Sequence, residues 1–283
     1  MEDFITNMCS GVAINLCDVF ARLFPDFEKN LQKLLDRASK HNINRVYIGS
    51  YFCDHYFTQV SESKYRSILY YCAQHQIAVT IVVPPLFQEN YQKGIRLVSL
   101  LAENNTVDEI VVNDWGLISN LSLRDGVKLI LGRLLQKDNR DPRYKEFFEE
   151  PYTSRLFTSF YQRFLAEKTI AGIEIDCTHQ WIKIPPATAP DIICVHYPFC
   201  YISIGSICEF ASMNKPAAKK FRFADTCRCE CNAAAIRCLC DNGKDLIRIG
   251  RGVLFENRNC RIESGRPFRC IYSPYVELGV LDL

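Results

Sequence analysis

Short runs of apolar residues alternate along this chain with stretches in which apolar positions recur every third and fourth residue. "GVAIN" (11–15), "RVYIG" (45–49), "AVTIVVP" (78–84), "EIVVNDWG" (109–116), "KLILGRLL" (128–135), "AGIEID" (171–176) and "IICVHYP" (192–198) are rich in Val and Ile. Most stop at Gly, Pro, Asn or Asp, as buried strands do. Between them, Phe27, Leu31, Leu34, Leu35 and Ala38 follow helical spacing, as do Phe157, Phe160, Tyr161, Phe164 and Leu165. Stretches 62–75 and 90–104 are shorter versions of the same pattern.

Strands buried on both faces, each followed by a covering helix, predict a parallel sheet. Six or seven such units in about 200 residues predict an α/β fold of the (β/α) TIM-type barrel kind, with irregular or incomplete closure allowed. A doubly wound open sheet is the alternative, although no G-x-G-x-x-G follows any strand. Past residue 240 the pattern changes to short strands, "LIRIG", "GVLFEN" and "FRCIYSP", separated by turn residues. The expected organisation is therefore a barrel over 1–240, with a cysteine-rich segment at 200–240, and a small β extension over 241–283 packed on it.

In such a barrel, chemistry gathers where strands end. Ser50 with Cys53, Asn113 with Asp114, Arg133, Glu174 with Asp176, and His196 occupy those positions. Composition adds little: 283 residues, 48% hydrophobic, carry a formal net charge of +2. That charge gives no general electrostatic case for nucleic acid or membrane, local patches aside. The first twenty residues, "MEDFITNMCSGVAINLCDVF", read as neither a signal peptide nor a membrane span. A reducing cytosol is the expected compartment, where cysteines persist as thiols or metal ligands.

The cysteines change the picture. There are fifteen, an odd number that argues against a fully paired disulfide framework. Five of them fall in "DTCRCECNAAAIRCLCDNG", residues 225–243. Zinc sites favour C-x2-C knuckles, whereas this segment has C-x-C-x-C, C-x-C and a C-x3-C between Cys227 and Cys231. In a helix, Cys227 and Cys231 share a face and Cys229 points away. In an extended segment all three share a face. The helix formers of "ECNAAAIRCL" favour the first case. Two thiolates from one turn can serve an iron–sulfur cluster if two more arrive from elsewhere. Lys215, Lys219, Lys220, Arg222 and Arg228 lie nearby in sequence and would offset its negative charge.

Several segments resemble the collagenase-like peptidase family (peptidase family U thirty-two). They are "NRVYIGSYFC", "VDEIVVNDWGLI", "LILGRLLQ", "VHYPFCYISIGSICEFAS" and "CRCEC". The likeness is greatest to its ubiquinone-biosynthesis members that support oxygen-independent hydroxylation, and to the smaller partner among them. It covers roughly residues 10–235. The resemblance implies a [4Fe–4S] cluster on Cys53, Cys208, Cys227 and Cys231, with Cys229 as the non-ligand between the last two. It further implies hydroxylation of an aromatic ring or nucleobase, with the hydroxyl taken from a metabolite such as prephenate. Asn113, Asp114, Arg133 and His196 are the candidates around a bound anion, Arg133 serving as a carboxylate clamp.

The chain departs from that pattern in the eighteen residues between Cys208 and Cys227, and in Cys200, Cys229, Cys238, Cys240, Cys260 and Cys270, which have no counterpart. Cys9, Cys17, Cys72, Cys177 and Cys194 lie in apolar patterns and read as core residues. Three further readings stay open: a peptidase, an accessory subunit working with a larger family member, and a zinc-binding nucleic-acid module. The peptidase reading finds no H-E-x-x-H or G-x-S-x-G among its five histidines and its serines.

Overall fold

A computed structural model describes residues 8–37, 43–136, 138, 140, 151–186, 190–222, 227–232, 234–239 and 245–281. Each apolar run of the sequence becomes a strand: β1 (Cys9–Asn15), β2 (Ile43–Gly49), β3 (Ala78–Val83), β4 (Val107–Val112) and β5 (Lys128–Leu131). After the short β6 (Tyr152–Thr153) come β7 (Gly172–Asp176), β8 (Ile182–Ile184), β9 (Ile192–Tyr197) and β10 (Phe199–Ile204). The remainder are β11 (Ile236–Leu239), β12 (Asp245–Ile249), β13 (Gly252–Glu256), β14 (Ile262–Ser264) and β15 (Phe268–Tyr272).

Eight of these close into a parallel barrel in the order β1-β15-β9-β7-β5-β4-β3-β2. Helices α1 (Phe27–Arg37), α3 (Glu62–Gln74), α4 (Gln88–Ala102) and α6 (Ser159–Glu167) have the expected helical spacing, and two six-residue helices, α2 (Asp54–Gln59) and α5 (Trp115–Asn120), were not anticipated. The α/β barrel is thus the architecture of the chain. Its completeness comes from the tail. Residues 241–283, expected as an extension, divide: β15 is the eighth stave, paired with β1 on one edge and β9 on the other. The strands β12 and β13 join β10 and β11 in an antiparallel sheet of order β10-β13-β12-β11. A third small sheet has the order β14-β8-β6.

Side chains alternate between the two faces of the barrel wall. Val12, Ile14, Val46, Ile48, Ile173 and Ile175 belong to the larger core cluster with the helices. Ala13, Tyr47, Val82, Val111, Ile130, Cys194 and Ile271 form the other cluster, inside the barrel. The barrel's interior is not purely apolar. Near the strand starts, Arg269 forms a two-pronged pair with Glu109 (Nη1–Oε2 2.7 Å, Nη2–Oε1 3.0 Å). Arg45 pairs in the same way with Asp108 and also lies 3.3 Å from Glu109. Glu109 is 1% exposed, so its charge depends on these guanidiniums.

Two departures from expectation follow from tertiary pairing. The described residues of 227–238 form no α-helix: Glu230–Asn232 is a single 3₁₀ turn, and Ile236–Leu239 pairs antiparallel with β12. Cys229, at φ +57°, lies in the left-handed region and interrupts any helix there. Cys177 is disulfide-bonded to Cys260 and is therefore not a core thiol. The Asn257 side chain draws that loop to the end of β7, donating to the carbonyls of Cys177 (3.1 Å) and Thr178 (2.6 Å).

Ending the chain after residue 266 removes the stave between β1 and β9; we expect loss of a cooperative thermal transition, read by circular dichroism. Arg269→Met should lower stability by about 3 kcal/mol by leaving the buried Glu109 to Arg45, which is already paired with Asp108. The double substitution Arg269→Met with Glu109→Leu should recover most of that in a denaturant titration.

Candidate functional site

The strand ends that the sequence singled out do converge at one end of the barrel. Two polar centres form there. The first is built on β5, β7 and β9. Arg133 opens a 3₁₀ turn just after β5 and is fully buried. Its Nη2 donates to Asp176, at the end of β7, and to the Phe199 carbonyl (2.8 Å); its Nη1 donates to His196 Nδ1 (3.2 Å). The second oxygen of Asp176 receives Arg140 Nη1. Arg140 also reaches the Arg133 carbonyl and Gln136 Oε1, each at 3.1 Å, and lies 4.0 Å over the Tyr201 ring. One carboxylate therefore joins two buried guanidiniums, and the carboxylate that Arg133 clamps in this arrangement is the protein's own.

Glu174 lies one layer deeper. It accepts from Tyr51 OH (2.8 Å) and from the Arg133 amide (3.2 Å), and His196 Nε2 lies 3.2 Å from its Oε2. Burial pushes Glu174 up to about 8, against the lowering pull of these partners. Burial also drives His196 well below its ordinary value, helped by Arg133 and Arg140, and a neutral ring accepts at Nδ1. Strand β10 lies over this centre, with the Tyr201 amide donating to Asp176 Oδ1 at 3.3 Å.

The other two candidates serve the frame. Asn113 Nδ2 donates to the Val83 carbonyl (3.2 Å) and its Oδ1 accepts from the Leu134 amide (3.1 Å). These bonds tie the ends of β3 and β4 to the turn that carries Arg133. A Cβ added at Gly132 would come within 2.2 Å of Asn113 Oδ1, so the turn requires glycine. Asp114 caps α5, accepting from the Gly116 amide (2.7 Å), and also from the Leu86 amide (3.2 Å).

The second centre is the thiols. Cys53 caps α2, its Sγ accepting from the Tyr56 amide at 3.4 Å, while its own amide donates to Ser50 Oγ at 2.8 Å. Ser50 in turn donates to Asp18. Cys208 stands at the start of α7 (Glu209–Ser212), which packs against the 230–232 turn. A charge on Cys231 is felt together with charges on Cys53, Cys227 and Cys208, and one on Cys229 with Cys227, Cys231 and Cys53. All four cysteines singled out in the sequence, and Cys229, thus lie within electrostatic reach in one group. Cys229 does not point away: its amide donates to Cys227 Sγ at 3.3 Å, and its thiol to Gln59 Oε1 at 3.7 Å. Cys200 and Cys270 are buried, Cys238 is exposed, and Cys240 lies outside the described residues.

Burial pushes the Cys53 thiol up to about 12, opposed by Arg251, and raises Cys208 and Cys231 as well. Cys227 goes the other way, to about 7, lowered chiefly by the neighbouring Cys229 side chain and further by the Cys229 amide that donates to its sulfur. Arg251 follows Gly250 in the turn between β12 and β13 and acts on Cys53, Cys208 and Cys227. It is anchored by Asp54 Oδ1 at 2.9 Å. Arg22 holds the carbonyls of Cys231 (2.6 Å) and Ala234 (2.8 Å). Among the described residues, no three His, Cys, Asp or Glu side chains are placed to hold a single metal ion. A groove of about 390 Å³, lined in part by Gln59, Glu62, Lys93 and Arg96, adjoins the thiols through Gln59.

Sequence reasoning missed Asp18, Arg140, Arg22 and Arg251. Asp18 is a polar residue just past a strand end and satisfies the rule that found the others. No local signal marks the arginines. Together these features define an α/β barrel of TIM type whose strand-end face carries a buried guanidinium–carboxylate centre beside a five-thiol group. Compared with protein-family models, curated proteins and solved structures, the chain has no match.

Folded Glu174 keeps its proton to about pH 8, while the unfolded carboxyl releases it near the ordinary glutamate value. The folded chain binds the extra proton between those values, so stability falls as pH rises through the window, by about 1.4 kcal/mol per pH unit. Glu174→Gln should flatten the decline of the thermal midpoint between pH 5 and pH 8.

Proposed function

We propose that this chain is an iron–sulfur protein of oxygen-independent hydroxylation, with a [4Fe–4S] cluster on Cys53, Cys208, Cys227 and Cys231. One observation carries the reading: Cys53 caps α2, whose Gln59 accepts from the Cys229 thiol, so the cysteine after β2 lies beside a cysteine loop more than 150 residues downstream. The donor types fit the group: each thiol would bind its own iron, so no three need converge on one ion. Thiols are the ligands such clusters take, and binding displaces the protons that burial otherwise keeps on Cys53, Cys208 and Cys231. Arg251 supplies positive charge beside three of the sulfurs, and backbone amides at Tyr56 and Cys229 donate to two of them.

When bound, the cluster would supply one-electron transfer. The chain's residues would do the rest. Arg22 and Arg251 hold the ligand loops, Asn113 fixes the Arg133 turn, and Arg133 with Arg140 forms the cationic centre under β10. A substrate carboxylate that enters this centre competes with Asp176 for the same two guanidiniums. The substrate class, an aromatic ring or a nucleobase with an organic hydroxyl donor, rests on the resemblance to the collagenase-like peptidase family. So does a larger member of that family as partner. Among the described residues no helix is long and apolar enough to cross a membrane.

Anaerobic purification with iron and acid-labile sulfide counts tests the reading. Four irons and four sulfides per chain are expected, with a broad visible absorption that bleaches on reduction. Replacing Cys53, Cys208, Cys227 or Cys231 singly by serine should each lower the iron content severalfold, and Cys229→Ser should leave it unchanged. Zinc without sulfide would sink the proposal and favour the zinc module.

A further inference from the structure

Nine large hydrophobic side chains are exposed among the described residues, and four of them, Ile204, Ile207, Met213 and Phe221, fall within one eighteen-residue segment around Cys208. Their exposures run from 37% to 56%. Scattered surface apolar residues need no explanation, but a concentrated group does. The segment is a built surface. Ser212 Oγ donates to the Cys208 carbonyl (3.1 Å) and accepts from the Phe221 amide (2.9 Å), so Phe221 is fastened to the turn that follows Cys208. Ile204 ends β10, and the Gly205 amide donates to the Arg251 carbonyl at 3.2 Å.

Charge on this face is one-sided. Residues 204–222 contain four cations, Lys215, Lys219, Lys220 and Arg222, and one carboxylate, Glu209. Glu209 is paired with Arg248 at 3.2 Å. Arg228, exposed between Cys227 and Cys229, is offset by the half-buried Glu230, which accepts from its amide at 3.0 Å, and adds nothing to that balance. The cysteines on this side, Cys208, Cys227 and Cys229, are half-buried, whereas Cys53 and Cys231 are buried. Cys208, one of these three, thus reaches partway to solvent within the segment that carries the apolar and cationic residues.

We propose that the face of Ile207, Met213 and Phe221, rimmed by Lys219, Lys220 and Arg222, docks an acidic one-electron donor protein. The inference rests on the cluster reading. The donor loses one electron and the cluster gains it; no bond is made or broken. An apolar centre within a charged rim is the pattern of a protein interface, and electron-transfer encounters use small ones. A cationic rim selects an acidic partner and raises its association rate. Single-stranded nucleic acid would call for a row of aromatic platforms, and only Phe221 among the four exposed apolar residues is aromatic.

The test uses the full chain, purified anaerobically and counted for iron and sulfide, with stopped-flow reduction by a reduced acidic [2Fe–2S] ferredoxin. The triple variant Lys219→Glu, Lys220→Glu, Arg222→Glu should slow that reduction by about tenfold or more at low salt, converging with the parent at high salt. The double variant Ile207→Ser, Phe221→Ser should slow it at both salts. Reduction by the methyl viologen radical cation should change less than twofold in either, with iron content intact. An unchanged ferredoxin rate in iron-replete variants overturns the docking proposal alone. So does a triple variant that loses binding to poly(U) or to anionic vesicles while its ferredoxin rate holds. A parent chain lacking iron and sulfide overturns the cluster reading, and this proposal with it.

Discussion

Closing a parallel sheet of eight strands removes every free edge and obliges all eight strands to end on the same face. In this chain the closure depends on β15, hydrogen-bonded to β1 on one side and β9 on the other. The charges inside the barrel depend on the same strand. Arg269 enters with β15 and neutralises Glu109 on β4, across the interior. Without that strand, the carboxylate would have Arg45 as its remaining cation, itself committed to Asp108.

The opposite end of the barrel follows the same electrostatic logic. Arg133, Arg140 and Asp176 are buried together because each offsets the desolvation of the others. Glu174, with Tyr51 and a neutral His196 beside it, has no cation to itself and stays protonated to about pH 8. This centre is tied to the thiols through short connections. Tyr51, which donates to Glu174, also has its amide on Asp18, and Asp18 accepts from the Ser50 hydroxyl that holds the Cys53 amide. Arg251, brought by the turn between β12 and β13, positions Asp54 directly after Cys53. The sheet containing β10, β12 and β13 therefore serves both centres: β10 covers the guanidiniums and the β12–β13 turn faces the thiols.

Much of the wall was legible from residue pattern. The seven apolar runs each became a barrel strand, because β-branched runs bounded by turn residues have few other stable fates in a covered sheet. Helices α1, α3, α4 and α6 followed from their apolar spacing. The short α2 and α5 did not: six residues give too little periodicity, and Cys53 is an unusual cap. The helix formers of "ECNAAAIRCL" misled because Ile236–Leu239 found a partner in β12, and pairing overrode local preference. Of the strand-end candidates, Arg133 and His196 met in one centre, while Asn113 and Asp114 turned to backbone amides and carbonyls.

By itself the sequence determined the kind of wall and the face on which polar chemistry would gather. Those properties are local, set by side-chain alternation and by where runs of apolar residues stop. Only the tertiary structure decided that "FRCIYSP" would close the barrel, that Cys260 would reach Cys177, and that Arg22, Arg140 and Arg251 would sit among the strand ends. Each is a contact between distant segments, chosen by burial and charge compensation, which leave no period in the chain.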